Sequence, residues 1–345
     1  MPGMRAAVMR NKQMVVDDVP EPVPGFGQVL VRTVACGICG SDLHFLRHGD
    51  RMAELAAQTG GPTTLDLTKD IVMGHEFTAE VLESGPDTAG PKAGTIVTSM
   101  PVVIKGFSIE DISAVGYSNE FPGGYGERML LSAPLLLEVP NGLDPRWAAL
   151  TEPMAVGAHA VAKSGIAPGD AALVLGCGPV GLAVIASLRL AGIEPIVAAD
   201  FSPARRTLAT TMGAHEVVDP RQEPGIDAWQ RVDGTRPLVV FEAVGVPGML
   251  QSALQDAPRG SRIVVVGVCM EEDRILPILG INKELNIQFV LAYQPNEFAD
   301  TLLAIADGRL DVEPLITGSV GIDEVPGAFD ALADPENHCK ILVQP

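Results

Sequence analysis

The chain has 345 residues, enough for two domains with full cores, and 24 basic against 43 acidic residues leave a net charge of −19. Such an excess of negative charge argues against nucleic acid or an anionic membrane as a partner, and no run of eighteen uncharged apolar residues predicts a membrane span. The N-terminus has no signal-peptide pattern, and five cysteines form no disulfide framework, so a reducing cytoplasm is expected.

Residues 1–153 read as short strand patterns between Gly- and Pro-rich turns, among them 6–9 and 28–34, which predicts an antiparallel, barrel-like domain. Within it stand Cys36-Gly37-Ile38-Cys39-Gly40-Ser41-Asp42-Leu43-His44 and, later, Gly74-His75-Glu76. A thiolate, an imidazole and a carboxylate brought together suit a borderline-soft divalent ion, above all zinc, and three protein ligands with one open position make a catalytic site. Cys39 and His75 are two of these ligands; the third is expected at Glu152 in Leu150-Thr151-Glu152-Pro153, with Glu76 as a fourth ligand or a neighbour of the metal. Asp42 reads as the acceptor that orients His75, or as an Asp that stabilises the turn after Gly40-Ser41. Cys36 imitates a CxxC pair, but no second CxxC exists, so it is expected to be packed and inert.

Thirty residues separate His44 from His75. Residues 50–58 predict a short helix and Gly60-Gly61-Pro62 a turn, and this segment is expected to border the cleft. Apolar residues Met100, Pro101, Phe107 and Phe121 are expected near the same cleft, which would then not be built solely for a sugar. His48 and His159 are read as bland, His159 packing on a helix that begins near Pro153.

From 154 to 291 apolar strands alternate with helical stretches, as in a doubly wound parallel sheet. The strand 171–175 is followed at once by Gly176-Cys177-Gly178-Pro179-Val180-Gly181, a helix, a strand 196–199 and Asp200, 19 residues after Gly181. That is a dinucleotide-binding fingerprint in its full context. The glycines let the backbone approach a pyrophosphate at the helix N-terminus, and Asp200 is placed for the ribose hydroxyls, favouring NAD. Arg205 and Arg206 lie close enough in sequence to accommodate a 2′-phosphate instead. Further strands are expected at 238–242 and 262–267, the latter ending in a candidate cofactor contact, Gly267. Cys177 is explained by the need for a small residue in the loop, and Cys269 and Cys339 are read as structural. Beyond 292 come a helix over 295–307 and a last strand, 340–343.

The order Cys39-x-Ser41-Asp42-x-His44, Gly74-His75-Glu76, Gly123-Gly124-Tyr125-Gly126-Glu127, Glu152-Pro153 and Gly176 to Gly181 resembles the zinc-dependent medium-chain alcohol dehydrogenases over nearly the whole chain. Glutamate at 152, where liver-type enzymes have cysteine, resembles the sorbitol, butanediol and threonine dehydrogenase branch. The resemblance implies an α/β protein: a GroES-like antiparallel barrel over 1–153, a Rossmann domain over 154–291, and a return of 292–345 to the catalytic domain. It also implies zinc, NAD, an alcohol or carbonyl substrate, a dimer or tetramer, and a proton path through Ser41, the cofactor ribose and His44. Between Gly94 and Glu127 there is no cysteine, so the structural zinc of many relatives is not expected; one zinc per chain is, with that lobe rebuilt around 102–104 and Phe107. The rival readings are a zinc-free quinone or enoyl reductase of the same superfamily and a cofactor-binding protein without turnover.

Overall fold

The computed structural model describes residues 3–59, 65–106 and 111–345. Phe107 and the Gly60-Gly61-Pro62 turn lie outside these described residues. The chain begins with an antiparallel hairpin, Gly3–Arg10 against Gln13–Pro20, turned at Asn11 and Lys12, both at positive φ as a tight two-residue hairpin requires. Ile71–Val72 joins its edge.

The second sheet runs in the order Leu136–Glu138, Ile96–Ser99, Glu76–Ser84, Gln28–Gly37, Lys340–Val343, Ile316–Val320, with Arg128–Ser132 also paired to Gln28–Gly37. All pairs are antiparallel except the last two strands, which run parallel. The register sets Gly37 opposite Glu76 on one side and Leu342 on the other. One strand end therefore brings three distant segments together: the turn to Cys39, the pair His75-Glu76, and the C-terminal strand. A core of Val29, Val31, Phe77, Val81, Tyr125, Met129 and their neighbours lies beneath.

The third sheet holds six parallel strands in the order Glu216–Val218, Ile196–Ala199, Ala171–Leu175, Leu238–Glu242, Arg262–Val265, Asn286–Phe289. Its central strands are apolar on both faces because helices cover both, the pattern of a doubly wound sheet. Asn286–Phe289 forms one edge, and all four of its residues are exposed. The lobe after Ile96–Ser99 is a small hairpin, Val102–Ile104 against Ile112–Ala114, with Val103 in the core. The chemistry-bearing segment after Cys39 is helical over Gly40–Thr59 with a break at His48, so the short helix expected over 50–58 is preceded by another helical stretch. Helix Thr151–Ser164 bridges the two larger sheets. It packs so closely on Pro179–Leu190 that a Cβ at Gly157 would lie 2.4 Å from the Ala183 backbone. Among the described residues no helix is long and apolar enough to cross a membrane.

Candidate metal and cofactor site

Cys39 lies between the strand Gln28–Gly37 and the helix Gly40–Thr59, and Asp42 in the helix's first turn accepts from the Cys39 backbone N–H at 3.0 Å. Across the register, Gly74 adopts φ +102°, and a Cβ there would meet the Tyr125 ring at 2.8 Å and Cys36 Sγ at 2.9 Å. Only glycine turns the chain here so that His75 and Glu76 face Cys39. The ligand atoms of Cys39, His75 and Glu76 all lie within 4.8 Å of one another. Cys36 is buried against Gly74 and Gly124, clear of this cluster.

Asp42 is fully buried and gathers donors: Tyr125 O–H at 2.6 Å and the Cys39 N–H on one oxygen, Tyr117 O–H at 2.7 Å on the other. His75 Nδ1 stands 3.4 Å from Asp42 Oδ1, long for a hydrogen bond, which leaves Nε2 for the cluster. Burial opposes the Asp42 charge, but His75 and the two hydroxyls outweigh it and hold the carboxyl below its usual range. Burial likewise opposes protonation of His75, yet the charges of Asp42 and Cys39 hold its pKa well above the ordinary value. A cluster that draws positive charge this strongly is suited to a cation.

The two glutamates differ. Both oxygens of Glu76 accept from Lys340 Nζ, at 2.7 and 2.6 Å, and both residues are buried; Lys340 also donates to Ile38 O at 3.1 Å. Burial works against the Lys340 charge, and Glu76 more than restores it. Glu152, in the first turn of Thr151–Ser164, lies near the Tyr293 hydroxyl, and burial pushes its carboxyl up to about 7. Its neighbour on that helix, His159, is buried and lies 2.7 Å from Glu297, away from the site.

One cavity of about 410 Å³ joins this cluster to the glycine loop. Cys39, Ser41, His44, His75, Glu76 and Glu152 line one end, and Gly178, Pro179, Val180 and Gly267 the other. Ser41 and His44 stand three residues apart on one face of their helix, with His44 exposed at the mouth; partial burial and the nearby His48 and Arg47 lower its pKa. Met52, on the same helix beyond the kink, completes the wall with Pro153, Val156, Val268, Met270 and Leu291.

Gly176 is at φ +91°, and a Cβ on Gly181 would lie 1.9 Å from the Gly176 carbonyl oxygen, so the loop admits no larger residue there. Gly178 caps the helix Pro179–Leu190. Asp200 accepts from the Cys177 N–H at 2.7 Å and the Ser202 N–H at 2.8 Å, which fixes the carboxylate beside the loop. Arg205 lies across it, 3.5 Å from Cys177 O and 3.4 Å from His338 O. Arg206 donates to the backbone oxygens of Asp200 at 2.7 Å and Phe201 at 2.9 Å.

Two family models match this chain: an alcohol dehydrogenase GroES-like domain over residues 25–141 and a zinc-binding dehydrogenase over residues 179–307. The (R,R)-butanediol dehydrogenase of Bacillus subtilis (strain 168) is 32% identical over 352 residues, covering 99% of this chain and 100% of its own. The chain is a zinc-type medium-chain dehydrogenase/reductase of the polyol dehydrogenase branch. Sorbitol dehydrogenase of the same Bacillus is 28% identical over 358 residues, covering 99% of this chain and 98% of its own. Among solved structures, a putative zinc-binding dehydrogenase from Sinorhizobium meliloti 1021, bound to NADP, superposes with a TM-score of 0.85 at 28% identity over the full length of both chains. As a family member the chain is an oxidoreductase of the alcohol and polyol class, with the GroES-like and Rossmann architecture described above.

Some expectations need correction. Met100, Pro101 and Phe121 do not line the cavity: Phe121 is in the core and Met100 packs beside Tyr293 and Phe298. The apolar wall comes instead from Met52, Met270, Leu291 and their neighbours. Cys269 is exposed, not structural. Sequence reasoning also passed over Lys340, Tyr117 and Tyr293. Lys340 had a signal: a lone charge in the buried apolar strand Lys340–Val343 demands a buried partner.

Proposed function

We propose that this chain is a zinc-dependent dehydrogenase that moves hydride between a small alcohol and NAD. What carries the reading is the meeting, in one cavity, of the Cys39, His75 and glutamate cluster with the Gly176 to Gly181 loop. The carboxylate within 4.8 Å of the Cys39 and His75 ligand atoms is that of Glu76, with Glu152 lining the same cavity, and a thiolate, an imidazole and a carboxylate so gathered fit zinc. Because Lys340 occupies both Glu76 oxygens, Glu152 is the third ligand in this reading, and Glu76 stays a neighbour of the metal. Bound here, zinc would supply Lewis acidity toward an alcohol oxygen, and NAD the hydride acceptor. Ser41 accepts the hydroxyl proton as it releases its own toward His44 at the mouth, which delivers a proton to solvent, and Asp42 orients His75. The absence of cysteine from 94 to 127 supports one zinc per chain.

Asp200 favours a free ribose diol and repels a 2′-phosphate. Arg206 is engaged with backbone oxygens, which supports NAD over the NADP of the Sinorhizobium relative, while Arg205, held only by contacts of 3.5 and 3.4 Å, is the residue left to accommodate such a phosphate. Gly178, Pro179, Val180 and Gly267 complete the cofactor contacts. Sheet membership supports a division near 1–153, 154–291 and 292–345, the last segment returning two strands to the catalytic sheet. Phe289, Leu291, Ile281 and Leu276, exposed around the edge strand Asn286–Phe289, support a homodimer or homotetramer built through that face. Five free cysteines fit a cytoplasmic protein.

The apolar wall of Met52, Pro153, Val156, Met270 and Leu291 receives the substrate's carbon skeleton, which favours short secondary alcohols and vicinal diols over hexitols. A panel of alcohols, diols and polyols read by NADH absorbance tests this: butane-2,3-diol should exceed sorbitol in kcat/KM, and NAD should exceed NADP. No turnover of any alcohol with either cofactor would return the choice to a zinc-free reductase or a binding protein.

A further inference from the structure

We infer that Tyr117 is a positioning residue for the reaction: its hydroxyl fixes the direction of the Ser41 hydrogen bond, so that Ser41 meets a substrate hydroxyl as an acceptor. The inference rests on the alcohol-oxidation reading above and on a count of protons. Tyr117 O–H lies 2.7 Å from Asp42 Oδ1 and 3.0 Å from Ser41 Oγ. Asp42 already accepts from the Cys39 N–H and the Tyr125 O–H on its other oxygen, so it stands as a carboxylate with no proton of its own to give. Tyrosine has one O–H, and the charged acceptor takes it, since hydrogen bonds to ionised groups are the stronger ones.

The Ser41–Tyr117 contact is then made by the remaining proton, that of Ser41. Ser41 donates to Tyr117, Tyr117 donates to Asp42, and the chain ends on a buried negative charge. Before any proton moves, its own is turned away and Ser41 presents only lone pairs to the cavity that it lines; as the alcohol's proton arrives, Ser41 swings its own toward His44. A bound alcohol donates into those lone pairs. A freely rotating serine would spend part of its time pointing its proton at the alcohol oxygen, an orientation that offers the alcohol's own proton no acceptor.

The ring of Tyr117 is held independently of its hydroxyl. It packs edge-on to Phe45 at 4.9 Å and tilted over His75 at 5.2 Å between ring centroids. Tyr117→Phe therefore removes the hydroxyl and leaves the packing. We expect this variant to keep its zinc and its affinity for NAD. Its binding of 2,2,2-trifluoroethanol, an alcohol used here as a ligand in the presence of NAD and followed by calorimetry, should weaken about tenfold, the scale of one hydrogen bond. Its kcat/KM for alcohol oxidation should fall by a similar factor.

In a Ser41→Ala background, adding Tyr117→Phe should change neither quantity, because the tyrosine acts through the serine. An equal loss in both backgrounds, or loss of zinc from Tyr117→Phe, would show that Tyr117 acts through Asp42 and His75 and overturn the inference. So would unaltered trifluoroethanol binding in the single variant. If the native protein neither binds nor oxidises any alcohol, the functional reading fails and this inference with it; native turnover with an unimpaired Tyr117→Phe contradicts the inference alone.

Discussion

A lysine sealed from water needs a carboxylate, and Lys340 has Glu76, bonded through both oxygens. Removing one partner of such a pair strands the other charge in low dielectric, typically at ~3–5 kcal/mol. Lys340→Met should lower unfolding free energy by about that much in urea titrations with chelator present, and adding Glu76→Leu should restore most of it. A loss below about 1 kcal/mol would mean that water reaches the pair. At this scale Cys39, His75, Glu152 and Asp200 stand out because each sits in a short local pattern, and the fold brings the first three to one cavity and Asp200 to the glycine loop. Lys340 and Tyr117 do not, because their partners lie 264 and 75 residues away and meet them only in the folded chain.

Elements with a strong local period were read closely. The strands Ala171–Leu175, Ile196–Ala199, Leu238–Glu242 and Lys340–Val343 stand where their apolar runs placed them. The helix Gly40–Thr59 was seen only in part, since Gly49 and the kink at His48 interrupt its pattern, and Met52 reaches the cavity only because the helix continues. The edge strand Asn286–Phe289 is wholly exposed, a liability unless something pairs with it. If the protein assembles through this edge, as proposed, Phe289→Glu should shift it toward monomer in sedimentation velocity, with no change in zinc content. An unchanged oligomer would place the interface elsewhere.

For the whole molecule, two halves of different architecture share one cavity, and the helix Thr151–Ser164 carries a glutamate to it from between them. The central claim is that this cavity holds one catalytic zinc on Cys39. Elemental analysis of gently purified protein, compared with Cys39→Ser and Cys36→Ser, tests it most directly. It is best done above pH 7, because Glu152, raised to about 7, must lose its proton to bind a cation, so affinity should fall as pH drops below that value. About one zinc per chain is predicted for the native protein, with metal and alcohol oxidation lost together in Cys39→Ser and both largely kept in Cys36→Ser. Two zincs per chain, none at all, or a Cys39→Ser variant that keeps its metal would contradict it.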